Sequence, residues 1–342
     1  MKLEQLMEGV PFTLVQGSLD TEIADIIYDS RKAAPGLLFV CIVGTQRDSH
    51  AFAADCAAKG VSALVIQHDI DLSALPGVTV VKVESSRYAM ALMSANLFGN
   101  PARQMTMIGV TGTKGKTTTT HMIKSVLEAA GRKVGMIGTN GIYYMGRHKD
   151  TANTTPESYE LQKTFREFLD AGCDTALMEV SSQGLMMDRV AGVHYDVGVF
   201  TNLSPDHIGP GEHPDFEDYK CAKHRLFAEY NARTMVYNAD DPYSDFMRGG
   251  FKGEQVSFGI KTDADYRGVM LAQYRSSTAL GIDFVCRHAG QSTHVEVMSP
   301  GAFSASDALC AIALCGAFGV MPAQAAATLA HTPVQGLSLI HI

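Results

Sequence analysis

Short apolar runs recur along this chain at the intervals that a strand–helix alternation needs. In the first hundred residues, runs at 37–43, 63–66 and 78–83 read as strands, and 51–59 and 86–97 read as helices. Gly99-Asn100-Pro101 then stops the second helix, because Pro101 disfavours helical geometry at Asn100, and a domain boundary is predicted there. From residue 105 the alternation resumes, with strand runs at 105–110, 134–138, 175–180, 197–201 and 234–237. Helical stretches lie between several of them, such as 117–130, closed by Gly131. Alternation of this kind predicts an α/β fold: a small N-terminal α/β domain, then a domain whose mostly parallel sheet is covered by helices on both faces. The segment 262–300 is strand-like and turn-rich, with hairpin character around 278–285 and 294–297. The apolar stretch 302–320 is interrupted by Ser304, Ser306, Asp307 and two glycines, so it reads as a buried helix rather than a membrane span.

Sheets of this class gather functional residues just beyond the carboxyl ends of their strands. After the run at 105–110, residues 109–118 read Gly-Val-Thr-Gly-Thr-Lys-Gly-Lys-Thr-Thr and lead into a helix. Glycines let successive N–H groups turn onto phosphates, Lys116 supplies positive charge for the outer phosphates, and the Thr117 hydroxyl can ligate Mg²⁺. Val110 stands where the strict phosphate-loop pattern has a glycine, so the core Gly112-x-x-Gly115-Lys116-Thr117 is a compact variant. An ATP-dependent enzyme is the first expectation.

The other strand ends carry weaker signals. Glu179 closes the run at 175–180 and suits a Mg²⁺ ligand or a water-positioning group, against the plainer role of a capping carboxylate. Asp206 and His207 follow the run at 197–201 and could bind metal or phosphate; a lone loop histidine is more often plain structure. Lys223, with Lys220 and Arg225 nearby in the helical segment 216–230, reads by itself as part of a solvated basic face. Asn238-Ala239-Asp240-Asp241 could meet adenine or ribose, or could cap a helix. In the first domain Asp29-Ser30-Arg31 and Gly44-Thr45-Gln46-Arg47-Asp48 flank a strand, as ordinary turns or as a seat for a phosphorylated or sugar ligand.

Composition narrows the classes. With 342 residues and 46% hydrophobic content, two domains with real cores are expected. A net charge of −8 and the absence of any Lys/Arg cluster longer than two argue against nucleic acid as a partner. Seven cysteines, an odd set with no Cys-x-x-Cys, read as thiols of a reducing, cytoplasmic setting. No signal-peptide stretch and no span-length apolar run is seen, so no membrane role is expected. No Gly-x-Gly-x-x-Gly follows a strand, which argues against a dinucleotide dehydrogenase.

Taken in order, several strings resemble the Mur ligase family, over about residues 23–336. They are Asp29-Ser30-Arg31, Pro35-Gly36-x-Leu38-Phe39-Val40, the loop 110–118, Gly138-Thr139-Asn140-Gly141, Asn153-Thr154-Thr155-Pro156, Glu179-Val180-Ser181-Ser182, Thr201-Asn202-Leu203-Ser204-x-Asp206-His207, Ala222-Lys223-x-x-Leu226-Phe227 and Asn238-Ala239-Asp240-Asp241. Within the family they favour the MurE-type branch, the UDP-N-acetylmuramoyl-tripeptide synthetases. The resemblance implies that Gly112, Thr113, Lys114, Gly115, Lys116, Thr117 and Thr118 bind ATP, with Asn238 near the adenine. It implies Mg²⁺ on Thr117, Glu179, His207 and a carbamylated Lys223, and a catalytic set of Lys116, Glu179, His207 and Lys223. Asn153, Thr154, Thr155, Ser181 and Arg189 would contact UDP-MurNAc-L-Ala-D-Glu, with Tyr28, Ser30, Thr45, Gln46 and Arg47 at its UDP end. The second substrate would be a diamino acid, meso-diaminopimelate or L-lysine, and the protein a cytoplasmic monomer.

On the same resemblance, residues 1–99 are a UDP-substrate domain and 100–336 the ATP-binding domain. Residues 337–342 look unrelated to the family, whose third, amino-acid-binding domain is expected to be lacking, leaving substrate recognition with little or no ligation. Gln183 replaces the family's usual histidine after Glu-Val-Ser-Ser. Ser304 and Asp307 replace asparagines, a change expected to bear on helix capping. Two alternatives remain: a non-catalytic Mg-ATP-binding module, and a folylpolyglutamate synthetase, against which the UDP-type strings of the first domain argue.

Overall fold

Residues 1–44, 47–275 and 280–332 are described by the computed structural model; Thr45, Gln46, the first residues of the expected hairpin at 278–285 and the tail at 337–342 lie outside them. The chain divides into two compact units. The first comprises Met1–Pro101 together with Glu157–Arg166 and Met187–Gly192, two segments that return to it from within the later sequence. The second takes residues 102–156, 167–186 and 193 onward.

In the first unit, the described strands order as Thr13–Gln16, Thr79–Lys82, Ala63–Ile66, Leu37–Val40 and Asp25–Ile27. All neighbours are parallel except the first pair. Successive side chains of a strand point to opposite faces. Accordingly Leu38, Val40 and Val65 pack with Met90 and Met93 of the helix Ser86–Leu97 on one face. Phe39, Leu64 and Ile66 pack with Ala53 and Cys56 of the helix Ala53–Ala58 on the other. Ser85 caps the longer helix, its hydroxyl accepting the Tyr88 N–H at 3.2 Å.

The second unit is built on seven consecutive parallel strands. In spatial order they are Tyr266–Arg275, Glu254–Gly259, Asn231–Asn238, Tyr195–Phe200, Thr106–Thr111, Thr175–Glu179 and Val134–Gly138. Antiparallel strands extend both edges: Leu280–His288 and Gln291–Val297 at one, Gly141–Tyr144 and Arg147–Lys149 at the other. The strand Thr106–Thr111 is central and almost wholly buried. Its Ile108 and Val110 pack against Met122, Ile123 and Val126 of the helix Lys116–Ala129, beside Leu309 and Ile312 of the helix Ala302–Gly316. Fully burying such a side chain is worth about 1.5–3 kcal/mol, so this layer holds the loop between strand and helix in place.

The segment 216–230 is not one regular helix. An α-helix runs over Phe216–Arg225 and opens into a π-helical turn at Leu226–Tyr230. Such π-helical turns are rare, usually a single turn within an α-helix, and frequent at functional sites.

Candidate active site

The loop Gly112–Gly115 leaves the central strand and enters the helix Lys116–Ala129 through Gly115, whose φ of 81° lies in the left-handed region that glycine tolerates best. The first helical hydrogen bond runs from the Thr119 N–H to the Gly115 carbonyl at 2.8 Å. The N–H groups of Gly115, Lys116, Thr117 and Thr118 therefore have no helical partner, and the helix dipole adds to their pull on an anion. Gly112 is required for space: a Cβ there would collide with the Thr201 hydroxyl and crowd the Asn202 backbone.

Thr201 and Asn202, just beyond the neighbouring strand, clamp this loop. The Asn202 Oδ1 accepts the Lys114 N–H at 2.9 Å, while its Nδ2 and the Thr201 hydroxyl both donate to the Lys114 carbonyl at 2.9 Å. Asn202→Ala removes two of these bonds; we expect a loss of about 1–3 kcal/mol in urea unfolding and a weaker nucleotide site. In the sequence this pair shows only as part of a longer motif.

A half-buried lysine and a buried one meet at one carbonyl. Lys116 Nζ donates to the Gly112 and Thr113 carbonyls at 2.9 and 3.0 Å, and Lys223 Nζ donates to the Gly112 carbonyl at 2.9 Å. Lys223 is 1% exposed, so the solvated basic face does not describe it. Burial, reinforced by the charge of Lys116, holds its amine well below the ordinary lysine value. Burial also lowers Lys116, with Glu179 and Asp206 opposing. Beneath Lys223 lies the Tyr219 ring, 4.6 Å from Nζ, and the Tyr219 hydroxyl pairs with the Thr113 hydroxyl at 3.0 Å.

Glu179 ends the adjoining strand and is 1% exposed. Its carboxylate accepts the Thr139 N–H at 3.0 Å and the Thr139 hydroxyl at 3.1 Å, so each oxygen keeps acceptor capacity. The Thr139 hydroxyl pairs with that of Thr154 at 3.0 Å. The Thr155 hydroxyl donates to the Glu179 carbonyl and accepts the Ser181 N–H at 2.9 Å. Glu179, Thr154, Thr155 and Ser181 thus form one connected cluster, with Asn153 exposed at its margin.

His207 is turned differently. Its backbone has a φ of 53°, its imidazole is exposed, and Nδ1 lies 3.1 Å from Glu212. Asn238 is buried and structurally engaged: Nδ2 donates to the Thr201 carbonyl at 2.8 Å and Oδ1 accepts the Asp240 N–H. Asp240 accepts the N–H groups of Ile260, Lys261 and Thr262, and Asp241 accepts those of Leu203 and Tyr243.

In the first unit, Tyr28 donates to Glu160 at 2.8 Å, and burial with that carboxylate pushes its phenol up. Both line a cleft of about 230 Å³ with Asp25, Asp29, Lys32 and Tyr159. Ser30 opens the 3₁₀ turn Ser30–Lys32, where Arg31 holds the Asp29 carboxyl down at about 2. Arg189 pairs with Glu157 at 2.8 Å, and Arg87 takes the other oxygen of Glu157 at 3.1 Å. Arg47 is exposed.

Neither Ser304 nor Asp307 caps its helix, whose first residue follows an uncapped Gly301. Ser304 instead pairs with Ser299 and donates to the Pro300 carbonyl. Asp307 lies about one turn further on and reaches the first turn of the helix Lys116–Ala129, accepting from the Thr119 hydroxyl at 3.3 Å. Nothing local in the sequence marks that contact, because its partners lie almost two hundred residues apart.

Comparison with known proteins matches residues 110–315 to the model of the Mur ligase middle domain. The UDP-N-acetylmuramoyl-L-alanyl-D-glutamate--2,6-diaminopimelate ligase of Clostridium perfringens is 38% identical over 83% of this chain and 58% of its own length. That of Clostridium acetobutylicum is 39% identical over 92% of this chain and 63% of its own length. The chain thus spans about six tenths of these curated relatives. A solved structure titled as a ligase of the same name superposes with a TM-score of 0.81 at 22% identity, covering 96% of this chain and 66% of that one. A MurF ligase from Thermotoga maritima in complex with ADP gives 0.60 at 17% identity, covering 91% and 66%.

Proposed function

The chain belongs to the Mur ligase family, and from that premise we propose that it takes part in ATP-dependent amide-bond formation on a UDP-muramoyl peptide. The observation that supports this most directly is the convergence of Lys116 and Lys223 on the Gly112 carbonyl within a phosphate loop clamped by Thr201 and Asn202. Such a loop presents the Lys116 ammonium and the unpaired N–H groups of a helix start where phosphoryl oxygens gather, so catalysis is largely positioning and electrostatics.

In the reaction proposed, a D-glutamyl carboxylate oxygen attacks the γ-phosphorus of ATP and ADP leaves. The neutral amine of a diamino acid then attacks the acyl carbon, the C–O bond to phosphate breaks, and the amine gives up a proton. The names of the relatives support 2,6-diaminopimelate as that amine. Mg²⁺, when bound, neutralises phosphoryl charge, and hard oxygen donors suit it. Thr117, Glu179, His207 and Lys223 as its carbamate are the ligands we assign, with Asn238 supporting the loop near the adenine. Lys223 fits the carbamate because a neutral buried amine can add to CO₂, lose a proton and so become an anionic oxygen donor. Asn153, Thr154, Thr155, Ser181 and Arg189 are assigned to the muramoyl dipeptide, and Tyr28, Ser30, Thr45, Gln46 and Arg47 to its UDP end.

Titration calorimetry with Mg-ATP, together with thermal shift by UDP-MurNAc-L-Ala-D-Glu against a folate, tests the reading. Binding of Mg-ATP and stabilisation by the UDP compound alone are expected. Stabilisation by folate alone, or no response to either nucleotide, would overturn it.

A further inference from the structure

Asp307 is the buried acid that the proposed chemistry does not use. It is 7% exposed and sits in the helix Ala302–Gly316, packed along the first turn of the helix Lys116–Ala129. A Cβ added at Gly115 would come 2.5 Å from its Oδ1, so the carboxyl fills the side of the loop where Gly115 has no side chain. The same oxygen accepts from the Thr119 hydroxyl at 3.3 Å. The carboxyl therefore lies against the turn whose free N–H groups must receive an anion.

We propose that Asp307 sets the affinity of this loop for nucleotide polyphosphate, which binds with uptake of one proton onto the Asp307 carboxyl. This rests on the reading of the loop as an ATP site. The physical reason is like-charge exclusion: two anions placed against one helix N-terminus repel, and the weaker acid takes a proton. Burial already pushes the Asp307 carboxyl up to about 7, so that proton is exchanged in the neutral range.

Among the described residues no charged group compensates it. On the facing helix, Lys116 is turned to the Gly112 and Thr113 carbonyls, His121 stacks edge-on to Tyr143 and is held neutral by burial, and Lys124 pairs with Glu128. On its own helix the nearest ionisable group is Cys310, one turn on, its thiol pushed far up by burial. From the strands beneath, Asp240 is bound by the N–H groups of 260–262, and Tyr266 lies against Gly316 at the far end.

The test is calorimetric titration of the full chain with Mg-ATP in buffers of different ionisation enthalpy, for the native protein and Asp307→Asn. Asparagine keeps the volume and the Thr119 acceptor. The native protein is expected to take up about half a proton per nucleotide near pH 7, approaching one at pH 8, with affinity falling roughly tenfold between pH 7 and 8.5. Asp307→Asn is expected to lose the uptake and to bind more tightly at pH 8.5. Equal proton uptake in both proteins would overturn the proposal while leaving the nucleotide reading intact; binding by neither overturns both.

Melting curves show whether the Asp307→Asn protein folds. The native carboxyl has a raised value, so its stabilising contribution is full below its unfolded value near 3.8 and is lost as pH rises through about 7. Asp307→Asn should therefore melt no lower than the native protein at pH 8. A variant that melts lower there removes the charge argument and counts against the proposal.

Discussion

Replacing Lys116 with alanine should weaken Mg-ATP binding by about 10²-fold, the loss of one or two charge-assisted hydrogen bonds of roughly 1.5–3 kcal/mol each, and leave the fold in place. The ammonium now donates to two loop carbonyls, the Gly112 and Thr113 oxygens. Its removal orphans little: the Gly112 carbonyl keeps its bond from Lys223, and the loop stays tied to Thr201 and Asn202. Calorimetry reads the affinity and thermal melting the fold. Undiminished nucleotide affinity in a folded Lys116→Ala protein would remove the loop from the proposed site.

Lys223→Met is expected to separate function from stability. The native amine is buried with its value driven well down, so at neutral pH it carries a cost that an ordinary exposed lysine does not. The sign follows from linkage: a lysine with a lowered folded value makes stability rise with pH up to its unfolded value near 10.5. Methionine matches its length, leaves the Gly112 carbonyl bonded to Lys116, and removes the ionisable group from beneath the loop. We expect stability at pH 7 to be unchanged or raised by about 1–3 kcal/mol in urea unfolding. Mg-ATP affinity, read by calorimetry, should fall by about 10–100-fold, the roughly 1.5–3 kcal/mol of one charge-assisted contact. A destabilised variant with unchanged Mg-ATP affinity would contradict both halves. The two effects together would mark Lys223 as retained for the nucleotide site rather than for packing.

Much of the architecture was legible because it is written locally. Apolar runs bounded by Gly, Pro and polar residues located the strands Leu37–Val40, Ala63–Ile66, Thr106–Thr111, Val134–Gly138 and Thr175–Glu179 to within a residue or a few. Gly115 and Lys116 announced the loop because only glycine takes its φ of 81° without strain and only a helix start exposes that run of N–H groups. The edges were less legible: the helix at 216–230 changes to a π-helical turn at Leu226, a change that periodicity averages away.

What the sequence by itself determined was the alternation of strands and helices, the loop at 112–115 and its family form, since each depends on neighbours within a turn or a strand. What only the tertiary structure decided was environment. The same lysine that reads as a solvated cation at position 223 is a buried amine beneath Gly112, and the same aspartate that reads as a helix cap at 307 is an acid pressed against Gly115. Segments 157–166 and 187–192 belong with the first hundred residues, bringing Arg189 to Glu157 and Arg87. Charge state and partner choice follow from desolvation and from contacts between distant segments, and neither is encoded in any short window of the chain.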